Sequence, residues 1–78
     1  MSIIIYSKPD CVQCHATYRA FDRQGIDYQV IDLTQDSHAL NLVKSSGYQQ
    51  VPVIIAGDDH WCGFRPDKID ALAHASAS

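Results

Sequence analysis

Two cysteines two residues apart, Cys11-Val12-Gln13-Cys14, stand where an apolar, β-branched run gives way to a helical pattern. Upstream, Ile3 to Tyr6 reads as a buried central strand, stopped by Ser7-Lys8-Pro9-Asp10, where proline cannot continue a ladder. Downstream, from Val12 to Gln24, Cys14, Tyr18 and Phe21 recur at helical spacing beside Thr17 and Ala20, and Gly25 supplies the stop. A strand, a short loop and a helix are therefore expected to place the first cysteine at a helix N-terminus.

The rest of the chain repeats the alternation. Asp27 to Leu33 suits a second strand covered in part on both faces, and Asp36 or Ser37 can cap a second helix that carries Leu40 and Val43 and ends at Gly47. A βαβα order favours parallel pairing of the first two strands. After Pro52, Val53-Ile54-Ile55 and a short strand from His60 to Cys62 flank the turn Gly57-Asp58-Asp59 and should form a hairpin. Pro66 suits the first position of a last helix, Asp67 complements its positive end, and Ile69 and Leu72 face inward. The expected architecture is α/β, in the order βαβαββα, with a four-stranded mixed sheet and three helices. It forms a single domain over residues 1–75, with residues 76–78 the frayed end of an Ala- and Ser-rich tail that begins at Ala73.

Composition removes several function classes. A net charge of −3 with six scattered Lys and Arg residues gives no basic patch for nucleic acid and leaves a protein partner as the better expectation. The Ile3-Ile4-Ile5 run has neither the basic lead nor the small-residue cleavage site of a signal peptide, and no stretch is long enough to span a membrane. Three cysteines are too few, and odd in number, for a secreted disulfide scaffold. A cytoplasmic monomer with reactive thiols and no cofactor is expected.

Unpaired N–H groups and the positive end of the macrodipole favour thiolate over thiol at a helix N-terminus, which makes Cys11 the expected nucleophile. Cys14, one turn on, shares that face, lies deeper and can resolve a mixed disulfide at Cys11. Lys8 can add positive charge near the thiolate. Two metal-based alternatives compete. Cys11-Val12-Gln13-Cys14-His15 matches the attachment pattern of c-type haem, with His15 as the iron ligand, and Cys11 and Cys14 could join His60 and Cys62 around zinc or an iron–sulfur cluster. Neither a haem-pocket pattern nor the spacing of a second metal knuckle accompanies them, and His15 is expected on an exposed flank. Cys62 reads as a small buried hydrophobe or as an auxiliary thiol.

Three segments carry a family likeness: Cys11-Val12-Gln13-Cys14-His15-Ala16-Thr17, Gln50-Val51-Pro52-Val53 and Trp61-Cys62-Gly63-Phe64-Arg65-Pro66-Asp67. Together they resemble the glutaredoxin branch of the thioredoxin-like fold and, within it, the NrdH-type redoxins that serve class Ib ribonucleotide reductase as hydrogen donors. The resemblance implies that Pro52 is a cis-proline facing the dithiol and that Val51 offers its backbone to an extended segment of the partner. It further implies contacts to partners from Lys8, Val12, Gln13, Trp61, Gly63 and Phe64. The implied activity is protein-disulfide reduction, with ribonucleotide reductase's large subunit and thioredoxin reductase as partners. Glutaredoxins that use glutathione typically carry Cys-Pro-Tyr-Cys and a glycine-rich turn followed by an acidic pair; here Val12-Gln13 and Gly63-Phe64-Arg65-Pro66 stand instead. A glutathione-dependent glutaredoxin remains the same-class alternative, since Lys8 is common to both groups. Cys62 occupies a position where the family usually has serine.

Overall fold

The computed structural model describes residues 2–77. Its elements are β1 (Ile3–Ser7), α1 (Val12–Arg23), β2 (Gln29–Asp32), α2 (Ser37–Ser45), β3 (Val53–Ala56), β4 (Asp59–Cys62) and α3 (Pro66–Ala77). The four strands form one sheet in the order β2-β1-β3-β4. β1 pairs with β2 in parallel and with β3 antiparallel, and β3 and β4 form the expected hairpin.

Period-two alternation divides the apolar strands between two faces. Ile3, Ile5, Ile54, Ala56 and Trp61 pack with Phe21 of α1 and Ile69 of α3, while Tyr6 and Val53 pack with Ala39 and Val43 of α2. Helices therefore cover the sheet on both sides, and this is why Ile3 to Tyr6 and Val53 to Ile55 read as continuous apolar runs rather than as alternating ones.

Local chemistry sets the boundaries. Asp36, not Ser37, is the N-cap of α2, its carboxylate accepting the Ala39 N–H at 3.0 Å. β2 is shorter than the expected Asp27–Leu33 and lies at the sheet edge, where Gln29 and Val30 are exposed and Ile31 and Asp32 half-buried, so its cover is partial, as expected. Tyr28 leaves the ladder to stack on Tyr18 and lean on Phe21, with its hydroxyl donating to Asp22 at 3.0 Å. Burial, then that bond and the Asp22 charge, push the Tyr28 pKa up to about 12. β4 begins one residue before the expected His60 because Asp59 pairs with Ala56. Residues 76–78 are expected to fray, but the backbone of α3 is helical through Ala77; Ser78 lies outside the described residues. No helix among the described residues is long and apolar enough to cross a membrane.

Candidate functional site

β1 ends at Ser7, and the turn that follows delivers Cys11 to the start of α1 through Asp10, whose φ of 60° lies in the left-handed region. Asp is among the few side chains that tolerate that conformation. Cys11 is the N-cap of α1, and its Sγ accepts the Cys14 N–H at 3.0 Å. A donor fixed on that sulfur favours negative charge there whenever the thiol is free.

Cys11 and Cys14 are joined as a disulfide with their Cα atoms 5.2 Å apart. Their burial differs: Cys11 is half-buried, whereas Cys14 is 1% exposed on the face that also buries Thr17 and Phe21. The two cysteines are therefore unequally open to the surface. His15, the next residue, is exposed and edge-on to Tyr18.

The second wall is the connection from α2 to β3. The Val51-Pro52 peptide bond is cis, and the Val51 carbonyl oxygen lies 3.9 Å from Cys11 Sγ. Lys8 is exposed and, with Val51 and Lys44, lines a groove of about 250 Å³ floored by Leu33, Leu40 and Val43.

The third wall follows β4. Gly63 N–H donates to the Pro52 carbonyl oxygen at 2.8 Å, and the next N–H, that of Phe64, donates to Gln13 Oε1 at 3.1 Å. Gln13, itself exposed, thus latches the Cys11–Cys14 turn to the segment after β4. Behind it the fully buried Thr17 hydroxyl donates to the Gln13 carbonyl oxygen at 2.8 Å. Val12, 83% exposed, and Phe64, 38% exposed, are left as apolar side chains on either side of that latch.

Gly63 has φ +81°, and a Cβ there would stand 3.3 Å from Gln13 Oε1. Gly63→Ala should therefore cost ~1–2 kcal/mol for the left-handed backbone alone. It should also weaken the Gln13–Phe64 latch. Thermal unfolding of the oxidised variant measures the first effect, and faster amide exchange at Phe64 reads out the second.

Trp61 is not brought to this surface. It is 4% exposed in the core beneath α1 and α3, and Lys68 Nζ lies 6.0 Å from its ring centroid. Cys62 faces the opposite side of the sheet, half-buried against the α2 cluster and paired with Val53 across the hairpin. Among the described residues no three His, Cys, Asp or Glu side chains gather to hold a metal ion. Arg65 and Asp67 form an exposed pair at 2.9 Å, which holds the Asp67 carboxyl below the usual carboxylate range and raises the Arg65 guanidinium. Sequence patterning does not reveal the Asp10 conformation or the bond between Gln13 and the Phe64 N–H. A non-glycine residue just before a helix start is a weak signal for the first, and nothing local signals the second.

The glutaredoxin family model matches residues 3–61. The glutaredoxin-like protein NrdH of Escherichia coli K12 is 47% identical over 72 residues, covering 92% of this chain and 89% of that protein. The gene 56 protein of Mycobacterium phage D29 is 38% identical over 74 residues, covering 90% of this chain and 80% of its own. In three dimensions the chain is similar to the solved E. coli NrdH-redoxin, a glutaredoxin-like protein described for its thioredoxin-like activity profile. The TM-score is 0.90, with 92% of this chain and 95% of that one covered. Glutaredoxin 1 of Archaeoglobus fulgidus is more distant, at 26% identity and a TM-score of 0.73, with 90% of this chain and 83% of that one covered.

Proposed function

We propose that this chain, which belongs to the glutaredoxin family as an NrdH-type redoxin, is a cytoplasmic, monomeric dithiol donor to the large subunit of class Ib ribonucleotide reductase and is itself reduced by thioredoxin reductase. One redoxin domain over residues 1–75 carries the activity. In the reduced protein the Cys11 thiolate attacks one sulfur of a partner disulfide, and the partner's other sulfur leaves as a thiolate and takes up a proton. Cys14 then loses its proton and attacks Cys11 Sγ, which breaks the mixed disulfide and releases the partner's second thiolate. Two electrons have passed to the partner, and the Cys11–Cys14 disulfide has formed. Thioredoxin reductase returns two electrons and restores the dithiol.

The observation that carries this reading is the apolar surround of the reachable sulfur. Val12 and Phe64 are exposed beside Cys11, with the Val51 backbone opposite. Exposed apolar side chains next to an open strand-like backbone suit docking of an extended protein segment. Where glutathione-using glutaredoxins typically carry an acidic pair after a glycine-rich turn, the Asp67 carboxylate is already engaged by Arg65. A small tripeptide thiol finds less to hold it there.

The test is ribonucleotide reduction by a class Ib enzyme supplied with NADPH, thioredoxin reductase and this protein. Deoxyribonucleotide formation should depend on the redoxin and should fall to background in Cys11→Ser. Equal turnover with and without the redoxin would contradict the donor role.

A further inference from the structure

The connection that presents Val51 and Pro52 is anchored at its start by Tyr48 N–H to the Val43 carbonyl oxygen at 3.4 Å and at its end by Gly63 N–H to the Pro52 carbonyl oxygen at 2.8 Å. Between these anchors Gln49 and Gln50 are exposed. One side chain ties this stretch sideways: the Tyr48 hydroxyl is hydrogen-bonded to His60 Nδ1, and the two rings meet edge-on at 5.9 Å and 81°. His60 belongs to β4, where it pairs with Ile55, and β4 also leads into Gly63. The same edge strand thus grips the connection at both ends, once through His60 and once through Gly63.

Tyr48 is half-buried, and its ring lies between two concavities. One is the groove beside Lys8 and Val51; the other is an apolar pocket with Val53, Ile55 and His60 in its wall. Movement of the ring would shift the groove wall next to Val51.

We infer that Tyr48 and His60 are a positioning pair, which holds the 46–52 connection so that Val51 presents its backbone beside Cys11 to an extended segment of a disulfide-bearing protein. The inference rests on the docking surface proposed above and names what keeps that surface in register. Neither residue touches the reacting sulfurs. Their contribution belongs to binding, where orientation of a docked segment is set before the exchange begins.

Insulin reduced by this protein, with dithiothreitol as the electron source, separates binding from chemistry. Tyr48→Phe keeps the ring and removes only the hydroxyl, so KM for insulin should rise ~2- to 10-fold, the worth of one side-chain hydrogen bond, while kcat stays within about twofold. His60→Ala should reproduce that rise, and Tyr48→Phe combined with His60→Ala should be no worse than either alone. His60→Gln, whose side-chain oxygen can accept the same O–H, should restore KM. An unchanged KM in Tyr48→Phe, or additive effects in the double variant, would overturn the pairing. Dithiothreitol-driven insulin reduction needs neither thioredoxin reductase nor ribonucleotide reductase. Failure of the donor assignment would therefore leave this comparison readable, and a flat KM beside a working donor would remove the positioning pair alone.

Discussion

Cys14→Ser will trap a disulfide-bearing partner as a covalent adduct at Cys11, and Cys11→Ser will lose disulfide exchange to the uncatalysed background. The asymmetry follows from burial and from one hydrogen bond. Cys11 Sγ is reachable and accepts the Cys14 N–H at 3.0 Å, whereas Cys14 is 1% exposed beneath it. The first attack needs an accessible thiolate, and the second needs only proximity to a sulfur already in place. Mass spectrometry of each variant, reduced and then mixed with a thiol-reactive protein disulfide, distinguishes the two. An adduct that forms in Cys11→Ser as fast as in Cys14→Ser would reverse the order of attack.

Phe21→Ala is expected to have the largest effect on stability. The ring is fully buried where α1 meets the sheet, among Ile3, Ile5, Ile54 and Ile69. Removing it should cost ~3–5 kcal/mol, from lost apolar burial and the cavity left behind. Domains of this size are stable by only ~5–15 kcal/mol, and each kcal/mol moves Tm by ~4–8 °C, so Tm should fall by ~12 °C or more. Phe21 lies on the same helical face as Cys14 and Thr17, which couples the loss to the site: the dithiol turn should become more mobile before the domain melts. Thermal unfolding of the oxidised protein followed by circular dichroism measures the cost. A fall of less than ~4 °C would mean that the neighbouring side chains close the cavity, since that is the effect of ~1 kcal/mol in a domain this small.

What could be read from the residues divides along the distance over which each feature is determined. The unequal placement of Cys11 and Cys14 was legible because a helix start is a local signal, and a cysteine at the N-cap and another one turn on differ in burial from helix geometry alone. The central strands were legible because both faces are covered, so Ile3 to Tyr6 and Val53 to Ile55 carry no polar interruption. β2 is shorter than its sequence pattern because Tyr28 has the character of a strand residue, yet its ring packs against Tyr18 and Phe21 off the ladder. The cis bond before Pro52 followed from the family likeness and not from local chemistry, which does not distinguish one X-Pro bond from another. Gln13 is exposed beside the dithiol, and its side-chain oxygen is bound to the Phe64 N–H, a contact across 51 positions that no spacing rule reveals. Trp61 is expected at the partner surface, yet strand alternation turns it into the core while Cys62 turns to the other face. The Tyr48–His60 bond depends on the hairpin register and on how the α2–β3 connection crosses the sheet, both of them tertiary facts.

The central claim is that a glutaredoxin-family domain here works with a thioredoxin-type reductant. The most direct measurement follows NADPH consumption as the purified Cys11–Cys14 disulfide is reduced, once by thioredoxin reductase and once by glutathione with glutathione reductase. Rapid, saturable turnover with thioredoxin reductase and only slow reduction by glutathione is the expected result. Efficient turnover with glutathione alone would contradict the account and place the chain among the glutathione-dependent glutaredoxins.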